Sequence, residues 1–494
     1  MSTQRPQRTL AVAAAATFLA LVVFTTPLAT LPATAAALGA GPEAQAWILS
    51  SMSIGLGVAL LSTGALADDL GRRRALVLGA AVLASSSVLG ALAPNAPVLV
   101  AARIVQGLGA AALVASSLGL LGHAFPAGTP AARTSSSVWG ASVGAGIAVG
   151  PLLATGLERA VDWTGAYWAE AVAAVVLAVA ARLSVAESRS EQPRPLDLPG
   201  VVALAAGLAA LLAGLTEGRS GFGRPEVAVL LGVGVVLLGV FVLVERRRQA
   251  PMLDPALFSA PAFVAATVGA LATGMGIIAT TSFLATVVER GLGSTALTGA
   301  VLLLGWSGTS VVTAVAARRL PASLSGHRQL AAGLGVVAVG QLLLLGLSPG
   351  SSPWRLLPGL VVAGAASGVI NAALGREAVA SVPHGRAGMG SGANNTARYV
   401  GSAIGVTVVA VVATRPGLGG GAAGLVAGWN SAVLVATVFS VLGALAVAAC
   451  GPREHRHRPA APEGGGAQPP ERADSGHGQG EARGDPGPAQ AAVP

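Results

Sequence analysis

Long apolar runs alternate with short polar segments along almost the whole chain. About 20 apolar residues are needed to cross a bilayer as one helix. The first run is longer than the apolar core of a signal peptide, which has about 7 to 15 residues, so we interpret it as an uncleaved span. The pattern predicts fourteen membrane-spanning helices, at about 9–31, 46–66, 74–94, 97–121, 134–156, 163–183, 198–216, 225–245, 260–288, 296–317, 327–347, 356–380, 391–414 and 424–449.

The spacing of these runs predicts an all-α polytopic membrane protein with two related halves. The loop at 317–328 is a degenerate repeat of the loop at 64–74. Such a repeat is expected if the chain contains two related six-helix halves. The end of the chain is rich in Gly, Pro and charged residues and has little apolar surface to bury, which predicts a disordered cytoplasmic tail. The predicted parts are an N-terminal six-helix bundle 1–183, a connector with an inserted helix pair 184–259, a C-terminal six-helix bundle 260–450 and the tail 451–494.

The composition supports a membrane protein and argues against several other classes. Of 494 residues, 53% are hydrophobic and 10% are charged, whereas soluble domains carry about 25% charged residues. All 30 basic residues are arginine, so the lysine of a P-loop is missing and we expect no ATP site. The arginines are scattered over short loops and do not form one basic surface, which argues against binding of nucleic acid. With Cys450 as the one cysteine, we expect no multi-cysteine metal site and no cofactor.

The distribution of arginine also predicts the orientation. Arginine triplets occupy 72–74 and 246–248. Most of the other arginines lie in every second loop, on the same side of the membrane as these triplets. Because cytoplasmic loops carry the excess of basic residues, both termini are predicted to be cytoplasmic. The Ala-, Gly- and Val-rich, arginine-only composition is typical of a GC-rich bacterial genome, so we expect a bacterial plasma membrane.

A charged stretch follows the second run and reads Gly64-Ala-Leu-Ala-Asp-Asp-Leu-Gly-Arg-Arg-Arg. Each arginine would cost about 2.5 to 3.5 kcal/mol at mid-membrane, so the triplet is expected at an aqueous face. Gly64 and Gly71 permit a tight turn, and Asp68 offers an acceptor to a facing helix end or a guanidinium. We interpret the stretch as a latch loop between two helices, formed by Gly64, Asp68, Gly71, Arg72 and Arg73.

The fourth run places Arg103, Gln106 and Gly107 on one helix face, at positions i, i+3 and i+4. An arginine this far from either end of a span must face a wet cavity or a partner. The sequence leaves two roles open for Arg103, a transport role in the cavity or bracing of neighbouring helices through their backbone carbonyls.

The fifth run is rich in glycine and contains Gly140, Gly144, Gly150 and Pro151. Glycines spaced by four residues make a flat groove for close helix packing. Pro151 removes one backbone hydrogen bond and permits a kink. We interpret this run as a hinge, with a plain packing helix as the alternative.

Several of these motifs resemble those of one family, the major facilitator superfamily. The order Gly-x-Leu-Ala-Asp-x-x-Gly-Arg-Arg resembles its loop signature, and Arg-x-x-Gln-Gly-x-Gly from Arg103 resembles its fourth-span motif, whose arginine is implicated in proton coupling. The glycine-rich fifth run resembles in part the family's exporter signature. Asn394, Asn395 and Arg398 lie in a stretch similar to the Asn-x-x-Arg-x-x-Gly pattern of the fourteen-span drug:proton antiporter branch. The resemblance implies two six-helix bundles, an inserted helix pair, and drug or antibiotic efflux.

The first run departs from that branch, because Val22-Val-Phe-Thr25 stands where a carboxylate is commonly found. A proton-coupled exporter needs a group that binds and releases a proton. Glu170 is the carboxylate clearly inside an apolar run. We interpret it as an interfacial glutamate that reaches water, with a coupling site as the alternative. Asp68 and Glu289 are the other candidates.

The hypothesis is a secondary active exporter of bulky amphipathic compounds, driven by proton antiport. Arg103 and Arg398 are both expected to face the cavity, where positive charge favours a substrate with an acidic group. The expected partners are a small-molecule substrate, protons and the lipid bilayer, and the chain is expected to be a monomer and not an enzyme. The alternatives are an uptake carrier with the same fold and, more remotely, a non-transporting membrane sensor or scaffold.

Overall fold

The structure is a computed structural model that describes residues 4–194, 197–219, 221–249, 251–321, 324–415 and 420–450. The predicted tail 451–494 lies outside the described residues. The α-helices are α1 (Gln4–Thr25), α2 (Pro27–Leu38), α3 (Pro42–Leu70), α4 (Arg72–Ala91), α5 (Ala96–Ala124), α6 (Pro130–Ala160), α7 (Gly165–Ser184), α8 (Leu198–Gly218), α9 (Pro225–Arg247), α10 (Pro261–Thr273), α11 (Ala279–Thr286), α12 (Ala296–Ala316), α13 (Gly326–Leu342), α14 (Leu357–Ala380), α15 (Ala387–Ala413) and α16 (Gly421–Ala449).

The all-α class is confirmed, and the predicted number of spans is close. Within the described ranges, 13 helices are long and apolar enough to cross a membrane. The eleventh predicted run, 327–347, forms α13, which has 17 residues and is not among those 13. The run at 260–288 is a single span that includes the π-helical segments Gly274–Ile278 and Val287–Gly291.

The first predicted span ends earlier than the apolar pattern indicated. The run was predicted to continue to residue 31, but α1 ends at Thr25 and α2 begins at Pro27. Pro27 has no backbone N–H to donate to the carbonyl of Val23, so the helix breaks there. The hydroxyl of Thr26 lies 3.1 Å from the carbonyl oxygen of Val22. This break becomes part of the candidate site.

The two largest apolar cores each hold one set of helices together. The first joins α1 with α3 to α7 around side chains such as Leu83 and Trp139. The second joins α10 to α16 around Leu334 and Trp429. The helices α8 and α9 pack on each other, and α8 also packs against α3 and α15. The two bundles meet where α3 contacts α15 and where α6 contacts α12 and α14.

Candidate functional site

The predicted latch loop is mostly helical. α3 continues to Leu70 and α4 begins at Arg72, so Gly71 alone separates them, with φ +126°. Gly64 and Asp68 therefore lie in the last turns of α3, and Gly64 makes no turn. The prediction of a loop was wrong because the polar residues of this stretch still belong to the last turns of α3. Gly71 alone, with its positive φ, is enough to reverse the direction of the chain.

Asp68 joins the two bundles. Its carboxylate lies 2.8 Å from Arg72 and accepts the backbone N–H groups of Gly388, at 3.1 Å, and Met389, at 2.8 Å. These amides belong to the first turn of α15, where a negative charge is stabilised by the helix dipole. Both contacts that the sequence offered to Asp68, a helix end and a guanidinium, are present.

Arg72 is buried within the protein, and the place of the arginine triplet at an aqueous face of the membrane stays a prediction. Besides its pair with Asp68, Arg72 donates from Nη2 to the carbonyl of Gly385 at 2.8 Å. The buried charge is tolerated because a carboxylate and a carbonyl satisfy it. Arg73 is more exposed, and its backbone N–H donates to Glu187 at 3.0 Å.

A second ion pair reinforces this contact. Arg386, from the segment before α15, lies 2.7 Å from Asp69 and donates to the carbonyl of Gln192 at 2.9 Å. The backbone N–H of Ser190 also donates to the carbonyl of Asp68. The connector therefore lies across the junction. We call this end of the molecule the latch end, and it is closed in this structure.

The close approach of α3 and α15 depends on Gly64. A Cβ added to Gly64 would overlap the carbonyl oxygen of Gly388. We expect Gly64→Ala to force the two helices apart and to lower the stability of the closed latch by about 1–3 kcal/mol. Thermal unfolding of the purified protein in detergent measures this. Gly308→Ala on α12 is the matched control, because an added Cβ meets no atom within 4 Å. Equal losses in the two variants would contradict the assignment.

Arg103 is fully buried and braces its neighbours in this state. It donates from Nε to the carbonyl of Ile48 at 3.1 Å, and Nη1 lies 3.4 Å from the carbonyl of Val23 and 3.2 Å from Oε1 of Gln106. The carbonyl of Val23 is the one that Pro27 leaves without a helical donor. Gly107 lies on the same helix, where a Cβ would overlap the α3 backbone.

Glu170 is not the interfacial glutamate that we expected from the sequence. Its side chain is 3% exposed. The carboxylate accepts the hydroxyl of Thr26 at 2.6 Å and the amide of Gln106 at 3.2 Å. The difference arises because α7 packs on α4 and α1 and turns this face inward. Gln106 therefore connects Arg103 to Glu170. Sequence reasoning missed Thr26, although the Thr-Pro pair at 26–27 signalled a helix break.

A central cavity lies between the two bundles. None of the described residues that line it is acidic. Its walls are formed by Leu21, Phe24, Thr25, Leu28, Val143, Ile147, Thr273, Ile277, Ile278, Thr281, Ser282, Leu303, Trp306, Ser367, Asn371, Arg398 and Tyr399.

Arg398 is the one charged side chain among the described residues of this wall. It is 4% exposed, and its Nε has no hydrogen-bond partner within the described ranges. The guanidinium carbon lies 5.5 Å from the ring centroid of Tyr399, whose ring contacts Phe24 edge to face at 5.7 Å. The cavity therefore offers an incompletely satisfied cation beside aromatic and aliphatic surface, an arrangement suited to an amphipathic anion.

The other predicted site residues of α15 do not line the cavity. Asn394 donates to the carbonyl of Ala266 at 3.0 Å and so ties α15 to α10. Asn395 donates to the carbonyl of Ser391 on its own helix, also at 3.0 Å. Arg103 is also absent from the wall, so the expectation that both arginines face the cavity holds in this state for Arg398 alone.

The glycines of α6 form contacts on both sides of that helix. Gly140 and Gly144 lie against α14 and α12, and a Cβ on Gly140 would come within 2.8 Å of the backbone nitrogen of Ala372. Gly150 faces α1, where a Cβ would overlap the hydroxyl of Thr25. α6 continues as a helix through Pro151. The glycines thus allow one helix to approach both bundles, and the hinge stays a prediction.

Comparison with known proteins agrees with this geometry. The family model described as Major Facilitator Superfamily matches residues 13–406. The cephamycin export protein CmcT of Amycolatopsis lactamdurans is 32% identical over 430 residues, covering 85% of this chain and 87% of that protein. The puromycin resistance protein pur8 of Streptomyces alboniger is 31% identical over 389 residues, covering 78% and 77%.

Solved structures show the same fold. The human organic anion transporter MFSD10 (TETRAN) superposes with a TM-score of 0.66 at 18% identity, covering 90% of this chain and 100% of that one. The proton:xylose symporter XylE superposes with the same TM-score at 14% identity, covering 90% and 95%. At these identities the likeness concerns the fold alone. With its matching family model, relatives and fold, the chain belongs to the major facilitator superfamily, whose members are multi-pass membrane carriers.

Proposed function

We propose that this protein exports bulky amphipathic compounds, of the drug and antibiotic class, in exchange for protons. The names of its relatives support export, since they include a cephamycin export protein, a puromycin resistance protein and the Mycobacterium tuberculosis multidrug resistance protein Stp. The cavity between the two bundles is lined mostly by apolar side chains, which suits the apolar body of such compounds. Alternating access would open it first at one end and then at the other.

We propose the following arrangement in the membrane. Residues 1–183 and 260–450 act as the two moving bundles, and 184–259 provides the connector and an inserted helix pair. Both termini face the cytoplasm, so that the latch end is the cytoplasmic end. The carrier works as a monomer in the plasma membrane, and a proton gradient, not ATP, supplies the energy. The arginine distribution and the separate apolar cores support this arrangement.

The single observation that carries the substrate class is the unsatisfied Nε of Arg398 in a wall without acidic residues among those described. A buried cation with an unsatisfied N–H group favours a ligand that brings a negative charge. We therefore propose that preferred substrates combine a large apolar body with an acidic group.

Two xanthene dyes test the direction and the substrate class. Sulforhodamine B carries a net negative charge, and rhodamine 6G is a cation of similar shape. In inverted vesicles with an acidic lumen, we expect the protein to accumulate sulforhodamine B faster than rhodamine 6G, because the positive cavity favours the anion. Accumulation only in right-side-out vesicles would indicate uptake. Preference for rhodamine 6G would contradict the proposed substrate class.

A further inference from the structure

The buried carboxylate of Glu170 lies in a closed group of polar side chains within the N-terminal bundle. From α5, Gln106 donates to Glu170 and Arg103 donates to Gln106. From the break between α1 and α2, Thr26 donates at 2.6 Å. That distance is typical of a charge-assisted O–H···O⁻ bond. The carboxylate is therefore stabilised by a donor from α5, by a donor from the break between α1 and α2, and by the positive charge of Arg103 beyond Gln106.

The remaining neighbours of Glu170 complete the set of groups that face it. Tyr167 lies one turn earlier on α7, and its side chain is buried. From α4, Ser87 accepts the amide of Gln106 at 2.9 Å. Arg103 is the charged residue of the set, so loss of the negative charge on Glu170 leaves that guanidinium without a nearby counter-charge.

The hydroxyl of Thr26 has one hydrogen and two acceptors within reach. One is Oε1 of Glu170 at 2.6 Å, and the other is the carbonyl oxygen of Val22 at 3.1 Å. A hydroxyl donates only one hydrogen bond at a time. When Glu170 is a carboxylate, Thr26 donates to it. When Glu170 is a neutral carboxyl, its own O–H donates to Thr26, and the Thr26 hydrogen turns to Val22.

This change occurs at the wall of the cavity. Phe24 and Thr25 line the cavity, and both directly precede Thr26. Arg103 holds the carbonyls of the same turn, and Gly150 of α6 lies against Thr25. A charge-assisted bond is about twice as strong as a neutral one. Protonation of Glu170 therefore weakens the link between α7 and the turn of α1 that lines the cavity beside Tyr399.

We propose that Glu170 is the proton-binding group of this carrier and that Thr26 transmits its charge state to the cavity through the end of α1. A proton from the outer compartment binds the carboxylate and gives a neutral carboxyl, and its release to the cytoplasm restores the carboxylate, with no electron transferred. This inference rests on the proposed proton-coupled export and assigns to α7 the carboxylate that is missing from the first span.

Proteoliposomes with the full chain separate coupling from transport. Gradient-driven accumulation of sulforhodamine B needs the coupled proton, whereas counterflow of the dye at equal pH needs only alternating access. We expect Glu170→Gln to lower gradient-driven accumulation by about tenfold or more and to lower counterflow much less, because glutamine cannot release a proton but counterflow does not require one. Glu158→Gln, the same change on α6, is the matched control and is expected to keep both activities.

The outcomes distinguish this inference from the proposed function. Absence of counterflow in the wild-type protein contradicts the proposed export of this dye class and removes the inference with it. Counterflow without gradient-driven accumulation in the wild type contradicts proton antiport. Full gradient-driven accumulation by Glu170→Gln, with a coupled wild type, overturns the inference alone.

Variants of Thr26 test the transmission step and keep the carboxylate in place. Thr26→Val removes a donor that favours the charged form of Glu170, so the carboxyl keeps its proton to higher pH. We expect the midpoint of the pH dependence of gradient-driven accumulation to rise by about one to two pH units. Thr26→Ser retains the hydroxyl and is expected to keep the wild-type midpoint. An unchanged midpoint in Thr26→Val overturns the inference. This test remains valid even when the Glu170→Gln variant fails to fold.

Discussion

Asp68→Asn is expected to lower the rate of sulforhodamine B export by about ten- to hundredfold, because it removes a charge-assisted contact worth about 1.5–3 kcal/mol from the closed latch. Asparagine keeps one acceptor oxygen, but its NH₂ group would face one of the two α15 amides, donor against donor. Arg72 would also lose its buried counter-charge. A carrier that rarely closes at this end completes few transport cycles.

The measurement compares transport with insertion in the same vesicles. The amount of Asp68→Asn protein in the membrane is expected to equal that of the wild type, since the contact forms between bundles that are already inserted. Asp162→Asn is the matched control, because Asp162 is exposed and asparagine can still accept from Thr164. Full export by Asp68→Asn would show that the latch contact has no part in the cycle.

Arg398→Gln is expected to lower the export of sulforhodamine B by about tenfold or more, since a hydrogen bond to a charged group is worth about 1.5–3 kcal/mol. Export of rhodamine 6G is expected to stay the same or to rise, because the variant removes a positive charge from the cavity wall. Arg398→Lys keeps the charge but not the planar fork of donors, so we expect an intermediate rate for the anion.

The two dyes together separate a binding role from a structural one. Damage to the fold would lower the transport of both dyes, whereas loss of an anion-binding group lowers only one. Arg159→Gln, at the exposed end of α6, is the control for removal of an arginine charge. Equal loss of both dyes in Arg398→Gln would contradict the assignment of the acidic substrate group to this residue.

Much of the architecture could be predicted from the sequence because membrane spans are long and uniformly apolar. The predicted ends of the spans differ from the observed helix ends by a few residues. The main error was at Thr26, because the apolar pattern continues through the helix break that Pro27 imposes. The latch motif correctly marked Asp68 as an acceptor. Its two partners in α15 lie 320 and 321 residues further along the chain, and no local pattern identifies them.

The candidate site was harder to predict, because burial of a polar side chain depends on how helices rotate against each other. Glu170 lies near the start of an apolar run, as an interfacial residue would, and only the packing of α7 on α1 and α4 brings it to Gln106. Likewise, Asn394 and Arg398 are four residues apart on α15, yet the first contacts α10 and the second lines the cavity.

The central claim is that the cavity opens in turn to the two sides of the membrane. Thr281→Cys, in a Cys450→Ser background, places one reactive thiol on the cavity wall. An impermeant maleimide is added to right-side-out or to inverted vesicles, and labelling is measured. We predict labelling from both sides, with faster labelling from the cytoplasmic side when Asp68→Asn opens the latch. Labelling from one side only, unchanged by Asp68→Asn, would contradict alternating access.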